Sequence, residues 1–458
     1  MKLRAKTGIG VLCLSLLFGD LSFSQDFAGY YTGNNTGVFA VVSNPAGIAG
    51  SSYRWDVNLF SLGTMAGNDN ASYRMPDIVH LFDGNRLKSW IQGTNTGLTN
   101  AMASMNLLGP SCMFDAGKKG AFAFTSRARV MVNAKQVDGK LFNQFIKEEV
   151  DDPGLPYHFS MNGDNLVNVN AWTEFGASYG RVIFEKGMHH LKGGITLKYL
   201  AGVANGYLQV NNLKGTLDVD QNGVYLSETT GALAIGLSGT RIEDLADGDL
   251  ASFKSSGFGG DIGFIYECRP KPDEYAFKAG VALRDVGFLR YKRDASRSGA
   301  YTASITGLER VHLYELGTVD NYNQYFKDYP QYFTAVSGSN GSRYNVSLPA
   351  TLQLDLDYHF YKGFYTALSG QFSLAAGGKS YNSSYYNTYT LTPRWESKNF
   401  GVYLPAGYSE LTHVNVGFGL RVGPFFLGSG SLLSALVIED SRQADFYVGV
   451  HFGRGRKG

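Results

Sequence analysis

The 458-residue chain has no long hydrophobic run. Its longest apolar stretch, Ile9 to Phe18, is shorter than the roughly 18–20 residues a membrane-spanning helix needs, so any crossing of a bilayer falls to strands. Charge is sparse as well, at 17% of residues against about 25% in soluble domains. Basic residues never form a run longer than a pair in the body of the chain. That excludes the concentrated positive surface on which nucleic-acid binding depends. There are three cysteines: Cys13 lies in the N-terminal apolar run, while Cys112 and Cys268 sit in separate strand candidates. A disulfide framework is therefore excluded, and the last two read as unpaired small apolar residues. No Pro-rich or Ser-rich linker divides the sequence, so a single large domain is expected rather than several.

In place of these features the chain holds 58 Gly, 30 Phe and 29 Tyr against only 4 Trp. Rings in that number suit the aromatic girdles of a membrane interface, and glycine relieves crowding in a curved sheet. From Val346 to Phe360 the residues alternate strictly, with Val346, Leu348, Ala350, Leu352, Leu354, Leu356, Tyr358 and Phe360 on one parity and Gln353, Asp355, Asp357 and His359 on the other. A two-residue period places one set on each face of an extended chain. Soluble strands usually alternate over five or six residues, whereas a strand tilted across a bilayer needs about nine to eleven. The pattern recurs at Phe364–Leu374, Val414–Val422 and Phe446–Phe452, and more weakly at Ala121–Asn133, Leu191–Val203 and Tyr275–Arg284. Arg127, Arg129, Lys192, Lys198, Lys278, Arg284, Asp355, Asp357, His413 and Arg421 all fall on the polar parity. A midplane Arg or Lys facing lipid costs roughly 2–4 kcal/mol, so these ten residues are expected to face a lumen. Their mixed signs favour a cross-linked interior over a selective pore.

Lys2, Arg4 and Lys6 precede the Ile9–Phe18 run, and Ser22-Phe23-Ser24 has the small-x-small form of a cleavage site. Residues 1–24 therefore read as a signal peptide, with export to the outer membrane of a Gram-negative bacterium. Cleavage removes three of 41 basic and one of 39 acidic residues, leaving a formal charge of zero. The chain ends at Gly458, soon after the Phe446–Phe452 strand, which is expected to close the barrel with no module following it.

Short turns at 117–120, 185–188, 270–273, 361–363, 396–398 and 423–424 alternate with long polar stretches at 134–169, 205–256, 292–344 and 376–387. Short turns at one end and long loops at the other are the habit of outer-membrane barrels. The expected fold is all-β: a transmembrane antiparallel barrel of about fourteen strands, within a range of twelve to sixteen. Helical spacing is read at Asp77–Trp90, continuing weakly through Thr94–Met105, and at Lys140–Glu149.

No catalytic set emerges. Gly236-Leu237-Ser238-Gly239 is not a nucleophile elbow, and Gly257-Phe258-Gly259-Gly260 opens no helix. His359 with Asp355 and Asp357, His413 and His451 read as lumen filling, and His189-His190 as a solvated turn rather than a metal site. The chain is expected not to be an enzyme and to need no cofactor or metal.

Ser43-Asn44-Pro45-Ala46-Gly47-Ile48-Ala49-Gly50, ahead of the first strand candidate, resembles the N-terminal region of the FadL family of outer-membrane channels and of the related PorV-like barrels. Leu348-Pro349-Ala350, Tyr361-Lys362-Gly363, Leu391-Thr392-Pro393-Arg394 and the Phe446–Phe452 strand resemble an uncharacterised Bacteroidota barrel family. The FadL resemblance implies a fourteen-stranded barrel with a hatch inside it. On that reading residues 25–52 form the hatch, with Asn44, Pro45, Ala46 and Gly47 at its centre, and residues 53–458 form the barrel. No FadL ligand-pocket motif is found, so fatty-acid transport is not implied. Two roles fit: hatch-gated passage of small hydrophobic or amphipathic compounds, or a closed barrel serving as scaffold for a surface or secretion protein partner.

Overall fold

A computed structural model describes residues 27–73, 91–93, 97–117, 119–139, 155–246, 253–271, 274–336, 343–375, 379–438 and 441–455. The signal-peptide reading at 1–24 and the helical readings at Asp77–Trp90 and Lys140–Glu149 lie outside these residues. The described chain forms a closed antiparallel barrel of fourteen wall strands. The first, Tyr53–Asn68, pairs with the last, Gln443–Gly455, from Tyr53↔Gly455 to Gly67↔Gln443. That seam satisfies the backbone groups an open edge would leave unpaired in lipid.

Alternation along the strands sorts side chains to the two faces. Leu197, Phe258, Phe264, Leu354, Leu356, Leu368, Leu427 and Phe452 are among the exposed apolar residues of the outer surface. Glu174, Lys192, Gln353, Asp357, Arg394 and Asp445 are buried within. The short turns lie at the end that holds Tyr53 and Gly455, as in outer-membrane barrels with a short-turned periplasmic rim.

The wall is taller than a bilayer on one side. Tyr157–Lys186 has 30 residues and His189–Asp220 has 32, which at about 3.3 Å per residue run close to 100 Å. The stretch read as a 134–169 loop is thus mostly strand, since Gly120–Asp138 and Tyr157–Lys186 continue pairing as far as Lys135↔Leu166. Within 205–256, His189–Asp220 and Gly223–Gly239 make one long hairpin. On this upper wall the outward residues Val130, Val132, Val169, Ile235 and Leu237 meet protein instead of lipid: Ile242, Leu245 and Val319 pack over them.

Two further readings are corrected. Val346–Phe360 is not one strand. Arg343–Ser347 and Thr351–Tyr361 are separated at Leu348–Ala350, where Pro349 has no N–H to give the ladder and Ala350 N–H turns back to Leu348 O at 2.8 Å. The break shifts the parity, so Val346 and Leu348 are buried against Leu200, Leu289 and Tyr291 while Leu354 and Leu356 face lipid. The described part of Thr94–Met105 is not helical; Leu98–Leu108 is a strand pairing with Tyr53–Asn68 on one side and Gly120–Asp138 on the other. Two ready partners outweigh weak local spacing. Cys112 and Cys268 are both free.

Leu356→Arg puts a guanidinium into the lipid belt, and the expected cost of roughly 2–4 kcal/mol is read as weaker heat-resistant migration and a lower denaturant midpoint; unchanged folding would refute the outward placement. Above the bilayer, Arg297 joins Asp294 (2.9 Å) and Asp320 (2.7 Å). Burial pushes the Asp294 carboxyl up, but hydrogen bonds from Ser296 and Arg297 outweigh it and hold the group at about 2. A depressed folded value contributes stability above the ordinary carboxylate range, lost as the pH falls through about 2. Amide exchange of residues 294–298 is therefore expected to accelerate between pH 4 and 2.

Candidate functional site

Residues 27–51 occupy the periplasmic half of the lumen. They carry short helical turns, Tyr30–Thr32, Gly37–Phe39, Ala40–Ser43 and Pro45–Ile48, because a segment that cannot add a strand to a closed wall must satisfy its backbone locally. Asn44 caps the last turn, its Oδ1 accepting Ala46 N–H at 3.0 Å. Its Nδ2 donates to the wall carbonyls of Phe264 and Val281, each at 3.2 Å. One side chain thus closes the turn and ties it to two wall strands. Pro45 suits the first helical position, where its missing N–H has no role.

The wall facing this motif carries no side chains. Gly180 pairs with Gly194, and Gly194 with Gly263, giving three glycines in register across adjacent strands. A Cβ on Gly194 would lie 2.4 Å from Ala46 N and Pro45 C, on Gly263 2.2 Å from Asn44 Oδ1, and on Gly180 2.8 Å from Ile48. The Asn-Pro-Ala-Gly turn therefore sits against bare backbone. Gly47 packs on Ala40, where a Cβ would come to 3.0 Å.

A second anchor lies at the seam. Asp56 Oδ2 accepts Val38 N–H at 2.8 Å, its Oδ1 lies 2.7 Å from His451 Nδ1, and His451 Nε2 meets Tyr30 Oη at 3.0 Å. Tyr30 also stacks on Phe426, ring centroids 3.8 Å apart at 7°, within an apolar group that includes Phe27, Phe39, Tyr403 and Tyr447. Lower still, Asn34 N–H reaches both Glu396 oxygens at 3.1 and 3.2 Å.

The inward polar residues form three ion-paired clusters, with Arg284, Asp355 and Arg421 held apart from them by hydrogen bonds. Arg127 and Arg129 both contact Glu174, and Arg129 pairs with Asp285 at 2.9 Å. Lys198 bridges Asp261 and Asp285 at 2.8 and 2.7 Å. Lys192 pairs with Glu267 at 2.6 Å. Lys278 and Arg394 share Asp357 at 3.0 and 2.7 Å, and Arg394 also reaches Glu396. Arg284 hydrogen-bonds Gln371 and the Val42 carbonyl, and Asp355 accepts from Gln353. Arg421 is 1% exposed and donates to the carbonyls of Ser397, Lys398, Phe400 and Gly423. His413 does not join them. Its backbone has φ 59°, it is exposed, and its ring lies 6.1 Å from that of outward-facing Tyr408. The left-handed turn at the strand's start rotates it off the polar parity, and Asn415 takes the inward position beside Thr412 and Gln443.

Sequence reasoning missed the acidic partners Glu174, Asp261, Glu267 and Asp285, as well as Asp56, Arg394, Glu396 and the three glycines. Arg394 and Glu396 share one parity of the strand Thr388–Glu396, and that alternation was a usable signal. Gly180, Gly194 and Gly263 carried none, because their meaning is a register between strands.

Above the hatch lies a cavity of about 70 Å³ lined by groups including Tyr31, Phe39, Met65, Met102, Arg129 and Tyr385. An apolar cavity of about 150 Å³ holds benzene, so the chamber as it stands is too small for a ring.

A closed antiparallel cylinder with an apolar belt, a charged and plugged interior and unequal rims defines an outer-membrane β-barrel of the Gram-negative type. Within that class the chain belongs to DUF5723, a family of unknown function whose profile matches residues 45–430. Among solved structures the chain is similar to the Ralstonia pickettii toluene transporter TbuX (13% identity, TM-score 0.42, covering 96% of this chain and 99% of that one). It is also similar to a Pseudomonas aeruginosa FadL homologue (10%, 0.43, 94% and 97%) and to the P. putida toluene transporter TodX (10%, 0.43, 96% and 100%). No curated protein matches it. The barrel assignment rests on the strand pairing described above.

Gly194→Val is expected to unseat the Asn44–Ile48 turn at a cost of about 1–3 kcal/mol while the wall still closes. The expected signature is new protease cleavage within residues 27–52 of a barrel that keeps its folded migration. Protection equal to the parent protein would mean the turn is not held by this contact.

Proposed function

We propose that the barrel passes small hydrophobic or amphipathic molecules across the outer membrane, and that the N-terminal segment, taken as residues 25–52 after removal of residues 1–24, is its hatch. Residues 53–458 form the conduit on this reading. Asn44, Pro45, Ala46 and Gly47 are the seat of the hatch, and the inward charges are the walls of the path. The observation that carries the proposal is the way the segment is held. It meets a side-chain-free glycine surface through one two-sided asparagine, with a mixed apolar and polar chamber directly above it. At this seat the glycines offer no side chain to interlock with the turn, so the hydrogen bonds that lifting the Asn44–Ile48 end breaks are the two Asn44 amide bonds to the wall, while the seam end stays anchored through Tyr30, Val38 and Asn34. The chamber's small volume then describes the closed state, and passage needs displacement of the hatch. Among the described residues nothing singles out a protein-binding surface, so the scaffold reading is not carried forward.

Proteoliposomes containing the full-length protein are compared with ones containing Gly194→Val, measuring uptake of a monoaromatic hydrocarbon and of a medium-chain fatty acid. Uptake above empty liposomes that rises several-fold in the variant is the expected outcome. Absence of flux in both forms, with the variant's hatch demonstrably unseated, overturns the hatch as the gate of passage.

A further inference from the structure

The outer half of the lumen also holds an inserted segment. Between the wall strands Phe364–Ser373 and Thr388–Glu396, residues 379–387 lie inside the barrel and belong to no strand. Asparagines from three adjacent wall strands take up their backbone groups. Asn133 donates to Ser384 O at 2.9 Å and accepts Ser384 N–H at 3.2 Å. Asn168 donates to the carbonyls of Ser380 and Asn382 at 3.1 and 3.0 Å. Asn170 donates to Tyr381 O at 3.1 Å and to Ser383 Oγ at 2.6 Å, and Asn205 to Tyr381 O at 3.0 Å. All four asparagines are at most 3% exposed. A primary amide on a short stem offers a donor and an acceptor much as a neighbouring peptide would, so the wall pairs with this segment without gaining a strand. At its lower end Tyr385 Oη accepts from Arg129 at 2.7 Å, and Tyr385 and Tyr386 line the roof of the chamber.

We propose that residues 379–387 are a strap that gates the lumen from the outer side, separately from the hatch. The proposal rests on the passage reading, which needs a route from outside to the chamber. The two closures are chemically unlike. The hatch is packed through stacked rings and reaches ionised groups, whereas the strap is held mainly by neutral amides that water satisfies equally well once the surfaces part. Tyr381, Tyr385 and Tyr386 also pack on the apolar group around Trp172 and Tyr291, so parting the strap separates ring contacts as well as amide bonds, and it is the amide bonds that water replaces at little cost. A seal of this kind is releasable, and its strength is insensitive to salt.

The test uses the full-length protein in the outer membrane of intact cells, with Cys112 and Cys268 replaced by serine and Ser104→Cys as reporter in the chamber wall. A membrane-impermeant maleimide added from outside is expected to label the reporter slowly. Asn168→Ala with Asn170→Ala should raise the rate at least tenfold. A second, independent variant joins Asn170→Cys to Ser383→Cys without the reporter. Its disulfide should form with mild oxidant and suppress probe uptake below that of the parent, with recovery on reduction. Equal labelling with and without the asparagines, or uptake unaffected by the lock, overturns the strap. Faster labelling without cargo flux in any form upholds the strap and removes the passage reading instead.

Discussion

Every other feature of this molecule depends on the pairing of Tyr53–Asn68 with Gln443–Gly455. Without water in the bilayer core, each wall N–H and C=O needs a partner within the protein, and a sheet achieves that only by closing. Closure makes inside and outside distinct solvents. The alternating strands then have one register that keeps charge from lipid, since a slip of one residue would turn Lys192, Asp357 and Arg394 outward and Leu354 and Phe264 inward. The seam also carries Asp56 and His451, so the contact that completes the cylinder holds the N-terminal segment as well.

Within the cylinder the charges neutralise one another. The Arg127–Glu174–Arg129–Asp285–Lys198–Asp261 chain crosses several strands, and the Lys278–Asp357–Arg394–Glu396 group does the same nearer the periplasm. Buried ions broken singly are costly, whereas complete networks are tolerated. The interior is thus a charge-paired frame between two inserted segments, residues 27–51 seated on glycine below and residues 379–387 held by amides above. The small chamber is the space the two leave between them.

Much of this was readable along the chain. Length of alternation separated a membrane strand from a soluble one, and the polar parity named the inward Arg127, Lys198 and Asp357 without reference to any neighbour. The Asn-Pro-Ala-Gly turn stood out through its local chemistry. Long-range features did not show. The Asn168-Val169-Asn170 alternation sat at the edge of the stretch read as loop, 134–169, because asparagine by itself signals a turn and only the segment it meets across the lumen gives it a strand's inward face. Pro349 shifted the parity at Val346, which a pattern scored over the whole segment conceals. His413 was misplaced for a similar reason, since one left-handed residue reverses the side on which its side chain emerges.

The order of residues alone determined that this chain spans a membrane as a barrel, because period and polarity are local properties and the bilayer tests each strand by them. Which acid meets which base, how three glycines come level to receive Asn44–Ile48, and that residues 379–387 turn inward to four asparagines were decided only by the tertiary structure. Those relations exist between strands far apart in the chain, and the register that creates them arises when the cylinder closes.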